Sequence, residues 1–132
     1  MIGDKLKTYP DLALLLLRVG FGLYMAIGHG WGKITAGPEK WADLGGMIGL
    51  DFAPAFWGFM AAISEFGAAL LVALGLLTRP AALLVALTMA TAATMHIVTG
   101  NGSPESALIY LVAFVAIMLY GPGKYSADKI LG

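Results

Sequence analysis

Residues 18–33 read RVGFGLYMAIGHGWGK, and the fold turns on how this stretch is read. It starts with a charge inside an apolar run and ends in a histidine set among glycines. Read as part of a helix from Asp11 to Gly28, it places Arg18, Gly22, Ala26 and Gly30 four residues apart. That spacing makes one narrow stripe of small residues with a cation at its foot, the pattern that lets two helices approach closely. His29 follows Arg18 by eleven residues. Eleven steps of about 100° return to nearly the same azimuth, so the helix is expected to point Arg18 and His29 the same way at two depths.

Working outward, the solvent of such a helix is a bilayer. Of 132 residues, 59% are hydrophobic and 12% charged, against about 25% charged in soluble domains. Mean hydropathy is +0.83. The length fits a single domain, 1–132. Formal net charge is zero, which gives no sign of a nucleic-acid partner. Cysteine is absent, so the chain makes no disulfide, thiolate metal site or thiol relay of its own.

Four apolar spans follow one another, roughly 11–29, 54–77, 80–98 and 105–120. Each is near the ~20 residues of a spanning helix, the last being short. Runs such as LALLLL (12–17) and AALLVAL (81–87) lack the polar face of a soluble bundle helix. Backbone amides in lipid must pair internally, so the spans are helices. The expected fold is all-α: an integral-membrane four-helix bundle. A cationic start before an apolar run also fits a signal peptide, but Arg18 interrupts that run and no small-x-small cleavage site follows.

Turn chemistry agrees with this layout. Thr78-Arg79-Pro80 is a tight connection with Pro in the first turn of the next helix. Ser103-Pro104-Glu105 reads as a helix start, and Gly121-Pro122-Gly123 as a stop. Lys5, Lys7, Arg79, Lys124 and Lys129 share one side of a four-span protein, with only Lys33 and Lys40 opposite. The positive-inside rule puts both termini in the cytoplasm of a multi-pass protein of the bacterial inner membrane. The long first outer loop, residues 30–53, contains PEKWADL (38–44). It is expected to form a short interfacial helix with Trp41, Leu44 and Ile48 on its apolar face, loosened by Gly45, Gly46 and Gly49.

Four ionisable groups, Arg18, His29, Glu65 and His96, lie in or at the ends of the spans. A charge at mid-membrane costs about 2.5–3.5 kcal/mol on insertion scales and needs a partner. Glu65 sits on its own small stripe with Ala61, Ala69 and Ala73. Counting residues from the cytoplasmic side predicts an Arg18–Glu65 pair, either as a pin of helix register or as a proton-transfer couple. His29 and His96 each end an outward-running helix, which predicts two imidazoles at one level. They are candidate ligand-binding groups, together with Lys33, Trp31, Tyr24 and Trp57. Phe56 and Tyr110 are further candidates to wall a flat ring. Haem or zinc needs more ligands than the two histidines supply, so no metal is expected. The chain shows no hydrolytic or phosphate-cradling motif.

These residues resemble the DoxX family of small four-helix bacterial membrane proteins. The resemblance rests on LLLRVGFGLYMAIGHGWGK (15–33), EFGAALLVALGLLTRPAALLVALTM (65–89), His96 and GPGKYSADKIL (121–131). Ala127 stands where the family ending usually has leucine. The family is named for its likeness to the membrane subunit of a thiosulfate:quinone oxidoreductase, and members are linked with redox or thiol-stress systems. The resemblance implies a four-helix membrane protein with both termini inside. It supplies no residue roles.

The leading expectation is the membrane subunit of a quinone-linked oxidoreductase. It holds no intrinsic cofactor, takes a quinone head group in the outer half of the bundle, and receives electrons from a soluble or peripheral redox partner. The alternatives are a non-catalytic scaffold for a redox or stress enzyme, and a proton or small-anion transporter acting as a homo-oligomer.

Overall fold

A computed structural model describes residues 7–47 and 52–132. Lys5, Ile48 and Gly49, used in the sequence reading, lie outside these. Every regular element among the described residues is helical. Helix α1 is Pro10–Ile34, α2 is Pro38–Met47, α3 is Pro54–Leu74, α4 is Thr78–Thr99, α5 is Glu105–Tyr120 and α6 is Ala127–Leu131. By length and composition α1, α3 and α4 can each cross a membrane. Helix α5 has 16 residues, about 24 Å at 1.5 Å per residue, short of a typical ~30 Å hydrocarbon core.

Proline opens α1, α2 and α3, where its missing N–H is no loss. Glycine in the left-handed region ends α3 at Gly75 (φ 73°) and α4 at Gly100 (φ 70°). Helix α5 begins one residue later than a serine N-cap would place it. Pro104 is its cap residue, while the Glu105 N–H donates to Ser103 Oγ at 3.2 Å.

Helix α1 packs along α3, and α4 packs on both α3 and α5. The core is built of small and aliphatic side chains: Ala26, Ala62, Ala69, Val72, Ala82, Val85 and Phe114 are fully covered. Apolar side chains on the outer faces, such as Leu16, Leu87 and Val112, stay exposed, as a bilayer solvent requires.

The small-residue stripe of α1 does meet α3. A Cβ on Gly22 would lie 2.8 Å from Ala69 O and 2.9 Å from Ala73 Cβ. A Cβ on Gly30 would collide with the backbone of Glu65. Both helices widen into a π turn, Ala26–Gly30 in α1 and Ser64–Ala68 in α3. These two turns pack on each other. A turn closed i→i+5 advances each residue by less than the α-helical step. Gly30 therefore stays in line with Gly22 while His29 rotates off that face. His29 is exposed, whereas Arg18 is buried, so the shared azimuth expected from the eleven-residue spacing does not survive the π turn.

The expected loop helix forms as α2. It is packed against α3, not free-standing. The backbones touch where a Cβ on Gly45 would strike Pro54 and one on Gly58 would strike Trp41. Glycine is required there because only a hydrogen fits.

The C-terminal segment folds back over the end of the bundle that holds the N-terminus of α1 and the α3–α4 turn. Asp128 is its main anchor. Its carboxylate accepts from the N–H groups of Leu77 (2.8 Å) and Thr78 (2.9 Å), capping α4. The Asp128 N–H donates to Gly75 O at 2.8 Å, and the Lys124 N–H donates to Asp11 Oδ1 at 3.1 Å. The Thr78 N–H bond is the main cause that holds the Asp128 carboxyl below its ordinary pKa. Partial burial works against it, and Leu77 and the Arg18 charge assist.

Candidate functional site

The π turn of α3 presents Glu65, whose side chain is 4% exposed, to α1. Its partner is Lys33 in the last turn of α1. Lys33 Nζ lies 2.7 Å from both carboxylate oxygens. The lysine is one-third exposed, so the pair joins a buried acid to a half-open cation. Trp41 of α2 donates its indole N–H to Lys33 O at 2.8 Å and sets its ring edge-on to Phe59. Helix α2 thereby steadies the turn that carries Lys33.

The Arg18–Glu65 pair expected from the sequence does not form. Arg18, 1% exposed, turns to the opposite end of the bundle. It donates to Val72 O (3.3 Å), Ala73 O (3.2 Å) and Tyr125 O (2.6 Å). The reason is the lean of helical side chains toward the N-terminus of their own helix. Arg18 leans back toward the start of α1. Lys33 leans back from the far end of α1 into the bundle. Glu65, on an antiparallel helix, leans outward to meet it. Counting Cα heights alone ignores these opposite directions.

A cleft of about 580 Å³ opens beside the pair, between α3 and α4 with α2 at its edge. Trp57, Met60, Leu87 and Met95 make much of its apolar wall, and Lys33, Glu65 and His96 are its ionisable groups. The His96 Nδ1 lies 2.6 Å from Asn101 O. Trp57 stacks edge-on against Phe52 and Phe56, and its indole N–H is buried without a protein partner.

The other candidates fall elsewhere. His29 sets its ring 5.3 Å from that of Tyr110, edge-on, and does not line the cleft. Tyr24 lines a separate apolar groove of about 690 Å³ between α1 and α5, with Leu17, Phe21 and Ile109 among its walls. Trp31 tilts against Phe66, ring centroids 5.7 Å apart, and is exposed. So Glu65, Lys33, His96 and Trp57 come together, while Arg18, His29, Tyr24 and Trp31 do not join them. Among the described residues, no cluster of three or more histidine, aspartate or glutamate side chains is arranged to hold a metal ion.

Sequence reasoning missed the threonines. Thr88 Oγ1 donates to Ser64 Oγ at 2.8 Å, within reach of Leu84 O at 2.9 Å, and Ser64 Oγ donates to Leu84 O at 3.2 Å. Thr88, Thr91 and Thr99 all line the cleft. Thr91 and Thr99 follow Thr88 by three and eleven residues, which keeps all three on one face of α4, a signal visible once that face is known to border a cavity.

The DoxX family model matches residues 13–99 of this chain. The chain is also similar to inner membrane protein YqjF of Escherichia coli (strain K12), with 30% identity over 135 aligned residues, covering 96% of this chain and 97% of that protein. No solved structure gives a significant match. Arg18, Glu65, Lys33 and His96 all fall inside the matched family segment.

Proposed function

Because the chain belongs to the DoxX family, we propose that it is the membrane subunit of a quinone-linked oxidoreductase that receives a quinone head group in the cleft between α3 and α4. It is a multi-pass protein of the bacterial inner membrane. The distribution of basic residues supports both termini in the cytoplasm, an orientation in which the Lys33–Glu65 pair belongs to the outer half of the bundle.

The observation that carries the reading is an acid–base pair set in the wall of an apolar cleft of head-group size. Such clefts, mostly apolar with a few convergent polar groups, are where small ligands bind. A flat ring fits against Trp57, Met60 and Met95. A ring oxygen near the pair takes a hydrogen bond from the Lys33 ammonium, which releases one Glu65 oxygen to accept or return a proton. Lys33 thus does for Glu65 what the sequence assigned to Arg18. Arg18 instead ties the C-terminal segment to the bundle. In this reading the chain has no redox centre of its own and takes electrons from a partner protein.

The test is titration of decylubiquinone into the purified protein. Wild type is expected to show saturable binding, and Lys33→Met, which removes the donor to the ring oxygen, to weaken it about tenfold, the worth of one charge-assisted hydrogen bond. No saturable binding to wild type overturns the reading.

A further inference from the structure

We infer that the cleft is built to hold the reduced, hydroquinone form of such a ring in preference to the oxidised quinone. The inference rests on the quinone reading and adds to it the redox state that the site selects. It follows from which hydrogens the cleft has already committed.

His96 is the first case. Its Nδ1 lies 2.6 Å from Asn101 O, a backbone carbonyl that can only accept. The neutral ring therefore carries its proton on Nδ1, and Nε2 is left as a bare acceptor. The Nδ1–Cε1 edge is also the one that a Cβ on Gly102 would touch, at 3.1 Å. The loop after α4 thus covers that edge while the ring lines the cleft.

The hydroxyls follow the same rule. Thr91 Oγ1 donates to Leu87 O at 2.9 Å, and Thr99 Oγ1 donates to Met95 O at 2.7 Å. Thr88 gives its single hydrogen to Ser64 or to Leu84 O. Each has one hydrogen, and each is committed to the protein. What they offer a ligand is lone pairs. Glu65 is acceptor-only while ionised. Among the described residues that line the cleft, the side chains with a hydrogen left to donate into it are Lys33, through its third N–H, and Asn101, the Trp57 indole N–H being buried.

An acceptor-rich cleft calls for a ligand that donates. A quinone has two carbonyls and nothing to donate, so His96 Nε2 and the Thr91 hydroxyl oxygen stay unsatisfied when it displaces water, while Thr99 Oγ1 already accepts from the Asn101 N–H at 3.3 Å. A hydroquinone donates through both hydroxyls and its oxygens still accept from Lys33. Leaving a polar group unpaired once the ligand has taken its water is what makes such sites discriminate.

The experiment is anaerobic equilibrium titration of detergent-purified full chain with decylubiquinol and with decylubiquinone. The expected result is tighter binding of the quinol by about tenfold, one hydrogen bond's worth. His96→Phe is expected to bring the ratio near one by weakening quinol binding more than quinone binding. Thr91→Val, an exposed position, is expected to shrink the ratio without touching the fold. Equal affinities in wild type, tighter quinone, or an unchanged ratio in His96→Phe overturn this inference and leave the quinone reading standing. Failure of both compounds to bind overturns the two together.

Discussion

Lys33 and Glu65, 32 residues apart in sequence, meet with the ammonium nitrogen 2.7 Å from both carboxylate oxygens. The contact depends on a glycine. Gly30 lies directly on the backbone of Glu65, so α1 and α3 are close enough for the lysine one turn on to reach the acid. A pair of this kind is weak evidence for stability, since an apolar replacement often does as well. Its place at the edge of a cleft is what the proposed ligand role explains.

Lys33→Met should therefore be worse than losing both charges. The single change leaves Glu65 buried without a partner. Because Lys33 is partly solvated, the loss should fall toward the lower end of the range for breaking buried pairs, about 3 kcal/mol or somewhat less. Lys33→Met with Glu65→Leu should recover most of it. Thermal unfolding in one detergent checks this. A double variant no more stable than the single one contradicts it.

Two glycines of α1 should respond in opposite directions. Gly30→Ala forces a methyl group into the Glu65 backbone and should cost about 1–3 kcal/mol, as overpacking does. Gly20 has nothing within 4 Å of its missing Cβ. Gly20→Ala should be neutral or stabilising by up to about 1 kcal/mol, from helix propensity. The same melts serve, with quinone binding read alongside: only the Gly30 variant should lose it.

The C-terminal segment should come loose in acid. Asp128 has its carboxyl pKa depressed, chiefly by the Thr78 N–H. A depressed acid stabilises the folded state above its unfolded value of about 3.9, and the contribution is lost as pH falls through the lower folded value. The tether should thus hold at neutral and mildly acidic pH and fail well below pH 4. Asp128→Asn should remove this dependence. Arg18→Met, which loses the bond to Tyr125 O, should free the segment's backbone for tryptic cleavage at Lys124 and Lys129 at neutral pH. Limited proteolysis followed by mass measurement reads both. Equal resistance in wild type and Arg18→Met counts against the tether.

The two histidines should separate cleanly. His29 packs on Tyr110 and His96 borders the cleft. His29→Ala should leave decylubiquinol affinity within about twofold. His96→Ala should lower it by about tenfold. Equal effects on binding contradict the placement of the site.

Much of the architecture could be read from residue pattern. Long apolar runs mark α1, α3 and α4, and the spacing of Gly22 and Gly30 marks the seam between α1 and α3. The acid of the site was legible too, because a buried Glu65 on a stripe of small residues has to face a neighbour. Its partner was not. Arg18 and Lys33 are both basic residues of one helix, and the choice between them depends on side-chain lean and on two π turns. The π turns leave no mark in periodicity, and they undo the alignment of Arg18 with His29. The role of the closing GPGKYSADKIL segment was equally hidden, since a carbonyl on Tyr125 and a capping carboxylate on Asp128 act through tertiary contacts alone.

The most direct measurement is photo-labelling with an azido-substituted short-chain quinone, mapped by peptide mass spectrometry on the wild-type protein in lipid nanodiscs. The account predicts label on the cleft wall, at or beside Met60, Ala92 and Met95, competed by unlabelled quinol and lost in Lys33→Met. Label confined to the α1–α5 groove, at Phe21 and Ile109, and indifferent to Lys33, contradicts it.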